Sequence, residues 1–440
     1  MRGDWKEATI ESIASRIAMG PFGSDIKTDN FVPSGVPVIR GNNLTSGRFH
    51  TDGFVFLTEN KANQLANANA YPGDLVFTHR GTLGQVGLIP DEPFKRYVVS
   101  QSQMKLSCNM TIADPLFIYY FFKSSVGRHA LLMHTSQTGV PAISRPVTSL
   151  KSIRLLLPPL AEQRAIAHIL GSLDDKIELN RKMNETLEAM AQAIFKAWFV
   201  DFGPVRAKAE GRDPGLPKEI AELFPNDFED SELGEIPKGW KVLSLPKLIE
   251  VNPTRPLHKG DIAPYLDMAN IPTQGHTPNE VINRPFGSGM RFVNGDTLVA
   301  RITPCLENGK TAYVDFLGKG QVGWGSTEYI VLHPKAPLPE EFAYCLARSE
   351  RFREFAIQSM TGSSGRQRVP AESLSHFQLV APSAQIAIYF GSCVRPLFAR
   401  ASAAARESRS LAALRDAILP KLISSELRVK NAEKFMTAML

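Results

Sequence analysis

The sequence predicts an α+β protein made by tandem duplication: two globular domains, each followed by a long helix. Three observations predict it. Matching motifs recur in the same order at an offset of about 222–235 residues. Short strand-like runs separated by Gly and Pro fill the first part of each half. A 4-3 spacing of apolar residues then runs on, in the first half without a break.

The elements follow in chain order. Asp4-Trp5-Lys6 opens the first half and Gly239-Trp240-Lys241 the second. Ile39-Arg40-Gly41-Asn42-Asn43-Leu44 loosely matches Leu266-Asp267-Met268-Ala269-Asn270-Ile271. The run from Gly73-Asp74 to His79-Arg80 pairs with Gly295-Asp296 to Arg301, and Leu157-Pro158-Pro159 with Gln163 pairs with Val380-Ala381-Pro382 with Gln385. A period this long marks a duplicated domain, since solenoid repeats are far shorter. Residues 74–78, 85–89, 103–107, 297–301 and 328–332 read as strands, and 115–123 and 340–358 as helices. The expected boundaries are 1–157 for the first domain, 158–202 for a central spacer helix and 203–237 for an acidic linker. The second domain is expected at 238–380, and the distal helix and tail at 381–440.

The central helix carries its seam on Ile166, Leu170, Leu173, Ile177, Asn180, Asn184, Leu187, Ala191, Ile194 and Trp198. At 1.5 Å per residue this seam is about 48 Å long. The same register in the distal copy falls on Phe390, Val394, Leu397, Ala401, Ala404, Ser408, Leu411, Arg415, Ile418 and Leu422. Two single copies of such a helix in one chain are expected to pair with each other. Asn180 and Asn184 would set register at a cost in stability. Pro396 and Pro420 are expected to bend the distal helix or to lie in its end turns.

Composition limits the function. The chain has 440 residues, 43% hydrophobic and 21% charged, with net charge +6. That excludes wholesale disorder and permits a polyanionic partner. The charge is uneven: residues 203–238 carry net −4 between flanks of +3 and +7. This Pro- and Gly-rich stretch reads as an exposed linker with one short helix near 217–224. The N-terminus has no signal-peptide pattern, and no run reaches the ~18 apolar residues of a membrane span. Cys108, Cys305, Cys345 and Cys393 are too far apart for a zinc site. A cytoplasmic protein with reduced thiols is expected.

Motifs for catalysis are missing. Gly318-Lys319-Gly320-Gln321-Val322-Gly323 has dinucleotide-loop spacing but leads into a strand-like run, where a helix is needed. There is no phosphate-binding loop of Walker type and no amino-methyltransferase loop. His129 and His134 do not have zinc-protease spacing. Asp74 and Asp296 recur but lack the Asp/Glu-x-Lys partner of a nuclease, so a Gly-Asp turn before a strand accounts for both.

What recurs at loop positions is polar and basic, the side-chain types that read base edges and hold phosphates. The DNA-binding candidates in the first half are Arg40, Asn42, Asn43, Thr78, His79, Arg80, Gln101, Gln103, Gln137 and Thr138. In the second they are Asn270, Arg301, Thr303, Lys310, Ser363, Ser364, Arg366 and Arg368. Ordinary solvated loops would account for many of these individually; their duplication suits a two-part target.

The stretch from Leu157-Pro158-Pro159-Leu160-Ala161-Glu162-Gln163-Arg164 to Ile177-Glu178-Leu179-Asn180 resembles the central helix of type I restriction–modification specificity (S) subunits. So does its continuation Ile194-Phe195-Lys196-Ala197-Trp198-Phe199. Gly234-Glu235-Ile236-Pro237-Lys238-Gly239-Trp240, Leu419-Pro420-Lys421-Leu422 and the run Phe31-Val32-Pro33 to Asn43-Leu44 match as well. Ser383-Ala384-Gln385-Ile386 departs from the Glu-Gln-Arg pattern.

The resemblance implies two target-recognition domains separated by two long antiparallel coiled-coil helices. It implies a non-catalytic subunit that reads a bipartite double-stranded DNA target. That subunit assembles with two methyltransferase (M) subunits and with restriction/translocase (R) subunits. S-adenosylmethionine, ATP and Mg2+ are then expected on the partners, with no cofactor on this chain. The expected subunit interface comprises Ile166, Leu170, Leu173, Ile177, Asn180, Leu187, Ile194, Phe195, Trp198, Phe199, Leu411, Ile418 and Leu422. If exposed, Ile194, Phe195, Trp198 and Phe199 would form a docking surface. Two rival readings are a stand-alone DNA-binding regulator built as a single-chain pseudo-dimer, and an enzyme.

Overall fold

A computed structural model describes residues 4–23, 25–44, 47–136, 139–363 and 365–432. The chain forms two compact units, residues 1–178 with 408–440 and residues 179–407.

The first unit holds a four-stranded antiparallel sheet in the order Ala14–Met19, Gln103–Cys108, Leu75–Thr78, Val86–Leu88. Its second sheet runs Phe31–Val32, Val55–Leu57, Val36–Ile39, Tyr97–Val99, Asn69–Ala70, with Val36–Ile39 and Tyr97–Val99 parallel. Those two parallel strands are apolar throughout and fully buried, the pattern of strands covered on both faces.

The second unit repeats this plan. One antiparallel sheet runs Ile249–Val251, Tyr329–Pro334, Thr297–Ala300, Thr311–Tyr313. The other runs Ile282–Pro285, Ile262–Leu266, Gly323–Gly325, Met290–Phe292, again with its two inner strands parallel. Gly323 therefore enters a strand, and the Gly-rich run before it opens no helix. The first strand of each α+β domain pairs antiparallel with the last. Lys6–Thr9 lies on Arg154–Leu157, and Lys241–Ser244 on Gln378–Ala381.

Local chemistry is duplicated too. Gly73 and Gly295 have φ of 84° and 89°, a conformation open to glycine, and each is followed by a buried aspartate. Asp74 Oδ2 accepts from Tyr71 N at 3.0 Å and Asp296 Oδ2 from Val293 N at 2.8 Å. Each carboxylate also meets a cation: Lys105 at 3.1 Å for Asp74, and Arg255 at 3.0 Å with His333 at 2.7 Å for Asp296. Both aspartates are turn-formers. A serine splits the following helical run in both units. Ser124 caps Ser125–Leu132 after Pro115–Lys123, and Ser349 caps Glu350–Gln358 after Glu340–Arg348. The continuous helix expected at 340–358 is thus two helices, because the serine hydroxyl satisfies the first free N–H groups of a new one.

The central helix, Leu160–Phe199, and the distal helix, Ala384–Ile423, each span 40 residues. Each gives one part to each unit, and within each unit the two pack antiparallel. In the first unit Arg415 Nη1 donates to Asp174 at 2.6 Å. In the second, Asn180 Nδ2 donates to the Ala404 carbonyl at 3.3 Å and to Glu407 at 2.9 Å. Farther along, Trp198 stacks on Tyr389 with centroids 6.0 Å apart. None of the twenty seam positions named above is exposed. Pro396 sits inside the distal helix and Pro420 in its last turn, and the helix is uninterrupted at both.

The acidic connector differs from the expected exposed linker. It contains helices Gly203–Ala209 and Lys218–Ala221 and the hairpin Phe228–Ser231 with Gly234–Pro237. Val205, Phe224 and Ile236 are buried in the core of the second unit. Apolar residues spaced between charges hold it down, a signal that net charge alone conceals.

Candidate nucleic-acid interface

In the first unit the polar loops converge at the ends of the buried strands. Thr78 Oγ1 donates to Gln85 Oε1 at 2.8 Å, and Gln103 Nε2 donates to Thr78 Oγ1 at 3.4 Å. The Ser100 hydroxyl donates to Gln103 Oε1. His79 Nε2 faces the Gln101 carbonyl at 3.1 Å, so that nitrogen carries the proton. Burial pushes the His79 pKa down, keeping the ring neutral. Asn43 is wholly buried; its side chain accepts from Arg40 N and donates to the His50 and Asp52 carbonyls.

The structure therefore sorts the candidates. Asn43, Thr78, His79 and Gln103 are buried and shape the loops from within. Asn42, Arg80 and Gln101 are exposed, and Arg40 is half-buried. Gln137, Thr138 and Ser364 lie outside the described residues.

The second unit assembles its loops in the same way. Lys310 Nζ donates to the Met268 carbonyl at 2.6 Å, next to Asn270. Thr303 N donates to the Gln367 carbonyl at 3.0 Å. Arg368 makes a forked bond to Glu328, both Nε distances being 2.9 Å. Ser363 and Arg366 are exposed. Backbone bonding also fixes the correspondence between units. His79 N donates to Ser102 O and its carbonyl accepts from Ile143 N; Arg301 N donates to Glu328 O and its carbonyl accepts from Val369 N. Arg301 thus stands where His79 does, while Arg80 matches Ile302, each in an isolated bridge, to Ala142 and Arg368. An equivalence between Arg80 and Arg301 is off by one residue.

Each α+β domain is tied to the central helix through a carboxylate. Asp174 accepts from Tyr120 Oη at 2.6 Å and from Arg415, while Arg48 Nη2 donates to the Gly171 carbonyl at 2.5 Å. In the second unit Glu188 accepts from Tyr344 Oη at 2.6 Å, and Arg348 lies 3.6 Å away. The Gln163 side chain accepts from Asp114 N and donates to the Ile112 and Pro158 carbonyls, which accounts for its place after the Pro-Pro pair.

The expected docking cluster is corrected here. Phe195, Trp198 and Phe199 are buried in the core of the second unit, among Trp240, Phe342 and Phe390, and Ile194 is partly buried against them. Ile166, Leu170, Asn180, Ile418 and Leu422 are buried, and Leu173, Ile177, Leu187 and Leu411 half-buried. Ile166, Leu170, Leu173, Ile418 and Leu422 belong to the core of the first unit, and Asn180 bonds to the distal helix. Apolar side chains that do face out on the long helices are Leu179, Met190 and Ile388, off the seam period and missed for that reason.

One pH effect follows. The Asp296 hydrogen bond raises the His333 pKa, its largest cause, against desolvation. A raised folded-state pKa stabilises below the ordinary histidine value of about 6.5, and the gain is lost as pH rises through the raised value. Unfolding midpoints between pH 6 and 8 should fall more for the parent chain than for His333→Asn; parallel profiles would rule the linkage out.

Comparison with known proteins shows what the chain is similar to. A family model described as the type I restriction modification DNA specificity domain matches residues 3–189. The first part of the chain thus carries a match to the type I specificity domain, and the chain is similar to type I specificity subunits over nearly its whole length. It is 24% identical to the type I restriction enzyme HindI specificity subunit of Haemophilus influenzae, over 96% of this chain and 100% of that one. It is 26% identical to the MjaIX specificity subunit of Methanocaldococcus jannaschii, over 72% and 69% of the two chains. In fold it is similar to the S subunit of a type I restriction–modification system from M. genitalium, with a TM-score of 0.56, 16% identity and 96% of both chains covered. Specificity subunits are the non-catalytic members of type I systems. Among the described residues no helix is long and apolar enough to cross a membrane.

Proposed function

We propose that this specificity subunit reads a bipartite double-stranded DNA sequence in the cytoplasm, one half through each recognition domain. The observation that carries the proposal is the repeated loop arrangement. Loops rich in Arg, Asn, Gln, Ser and Thr stand at the same strand ends in two domains of one topology. The exposed Asn42, Arg80 and Gln101 of the first, and Ser363 and Arg366 of the second, are the side chains offered to bases and phosphates. Two methyltransferase subunits and the restriction subunits would assemble on this chain and bring S-adenosylmethionine, ATP and Mg2+.

Mapping methylated adenines genome-wide, with and without the gene, tests the reading; an unchanged methylation map overturns it. A substitution pair refines it. Arg80→Ala should weaken binding through the first half-site and Arg301→Ala through the second. A base-reading arginine costs about 1–3 kcal/mol and relaxes one position, whereas a phosphate contact costs affinity evenly across sequences. Unaltered binding of both variants at moderate salt would place these loops away from the DNA.

A further inference from the structure

A cavity of ≈ 290 Å³ opens in the first unit among the candidate loops, close in size to the smaller ligand-holding clefts. Phe31 and Val38 give it apolar wall, and Arg40, Gln101 and Gln103 give it planar hydrogen-bonding groups. Phe22 also lines it, yet is 83% exposed, at odds with the usual burial of a phenylalanine.

The backbone of Phe22 is anchored there. Its N–H donates to Asp25 Oδ2 at 3.1 Å and its carbonyl accepts from Asp25 N at 2.9 Å. Two residues earlier, Gly20 N donates to the Gln103 carbonyl at 2.9 Å, and a Cβ at Gly20 would collide with the Ser100 carbonyl. The turn is thus seated on the loop that carries Gln101. A second observation concerns Arg40. Its Nη2 donates to the Gly53 carbonyl at 2.8 Å, but its Nε is buried with no hydrogen-bond partner. A buried donor left unmade costs free energy, and Arg40 also lines the opening.

An exposed ring on an anchored backbone, an apolar wall and planar donors and acceptors together describe a receptacle for a flat aromatic heterocycle. We propose that the cavity takes up one unstacked nucleobase of the first half-site, with Phe22 stacking on it and Arg40 and Gln101 meeting its edge. This rests on the DNA-reading function above. A duplex base must leave the stack to enter, a cost of a few kcal/mol that stacking on an aromatic side chain offsets.

The test uses the full chain with no partner subunit present and its own target duplex. 2-Aminopurine is placed at each position of the first half-site in turn. Binding should raise fluorescence several-fold at one position. Phe22→Ala should abolish that rise and weaken binding roughly ten-fold, and Phe22→Trp should restore both. An abasic nucleotide at that position should bind at least as tightly as the intact duplex, since no base need be unstacked. Tight binding with no responsive position, or with Phe22→Ala indistinguishable from the parent, overturns the receptacle while leaving DNA reading intact. Failure of the parent chain to bind the duplex overturns both.

Discussion

Arg348→Ala should destabilise the second unit by about 3–5 kcal/mol, the cost of stranding the partners of a buried charge. Arg348 ends a helix and reaches four backbone carbonyls, those of Thr273, Gly275, Gly309 and Thr311, at 2.6–3.2 Å. It also donates to Tyr344 Oη at 3.0 Å and lies beside Glu188, whose Oε2 is already buried without a hydrogen-bond partner. Truncation leaves acceptors from separate loops unsatisfied and a carboxylate without its cation. Lysine should recover only a minor part, because a point charge lacks the forked donors that span these carbonyls. Urea unfolding followed through Trp198, Trp240 and Trp324, all in residues 179–407, measures the effect. A loss below about 1 kcal/mol would show that these carbonyls find other donors.

Phe199→Ala should cost a similar amount, about 3–5 kcal/mol, as expected for a buried phenylalanine. Its ring lies 5.0 Å from Phe390, 5.3 Å from Phe342 and 6.3 Å from Trp240, and only 8% of the residue is exposed. It joins both long helices to the α+β domain of the second unit within one core. The variant should therefore unfold earlier when isolated, with no partner present. Unchanged stability combined with lost assembly would return Phe199 to a docking role.

The two outcomes separate what local sequence encodes from what it does not. Periodicity is local, so the 4-3 seam from Ile166 to Trp198 and its copy from Phe390 to Leu422 could be read directly, as could strands such as Leu75–Thr78 and Thr297–Ala300. Duplication was legible because equal turns demand equal residues: Gly73-Asp74 and Gly295-Asp296 recur for their φ and their carboxylate. The similarity to type I specificity subunits, too, was legible in the run from Leu157 to Phe199.

Which loop residues face outward was not legible. Arg80 and His79 are adjacent and both polar, yet one is exposed and the other buried against the Gln101 carbonyl. Apolar character likewise did not reveal whether Trp198 would meet a partner or its own core; that depended on Tyr389 and Phe390, nearly two hundred residues away. Nor did the acidity of residues 203–237 foretell that Val205, Phe224 and Ile236 would anchor them. A residue's type and spacing decide which element it joins, because backbone preference and amphipathic period act over a few residues. Burial, pairing and the shape of a cavity depend on which distant segments arrive at the same place, and only the folded chain brings Phe22, Arg40 and Gln101 around one opening.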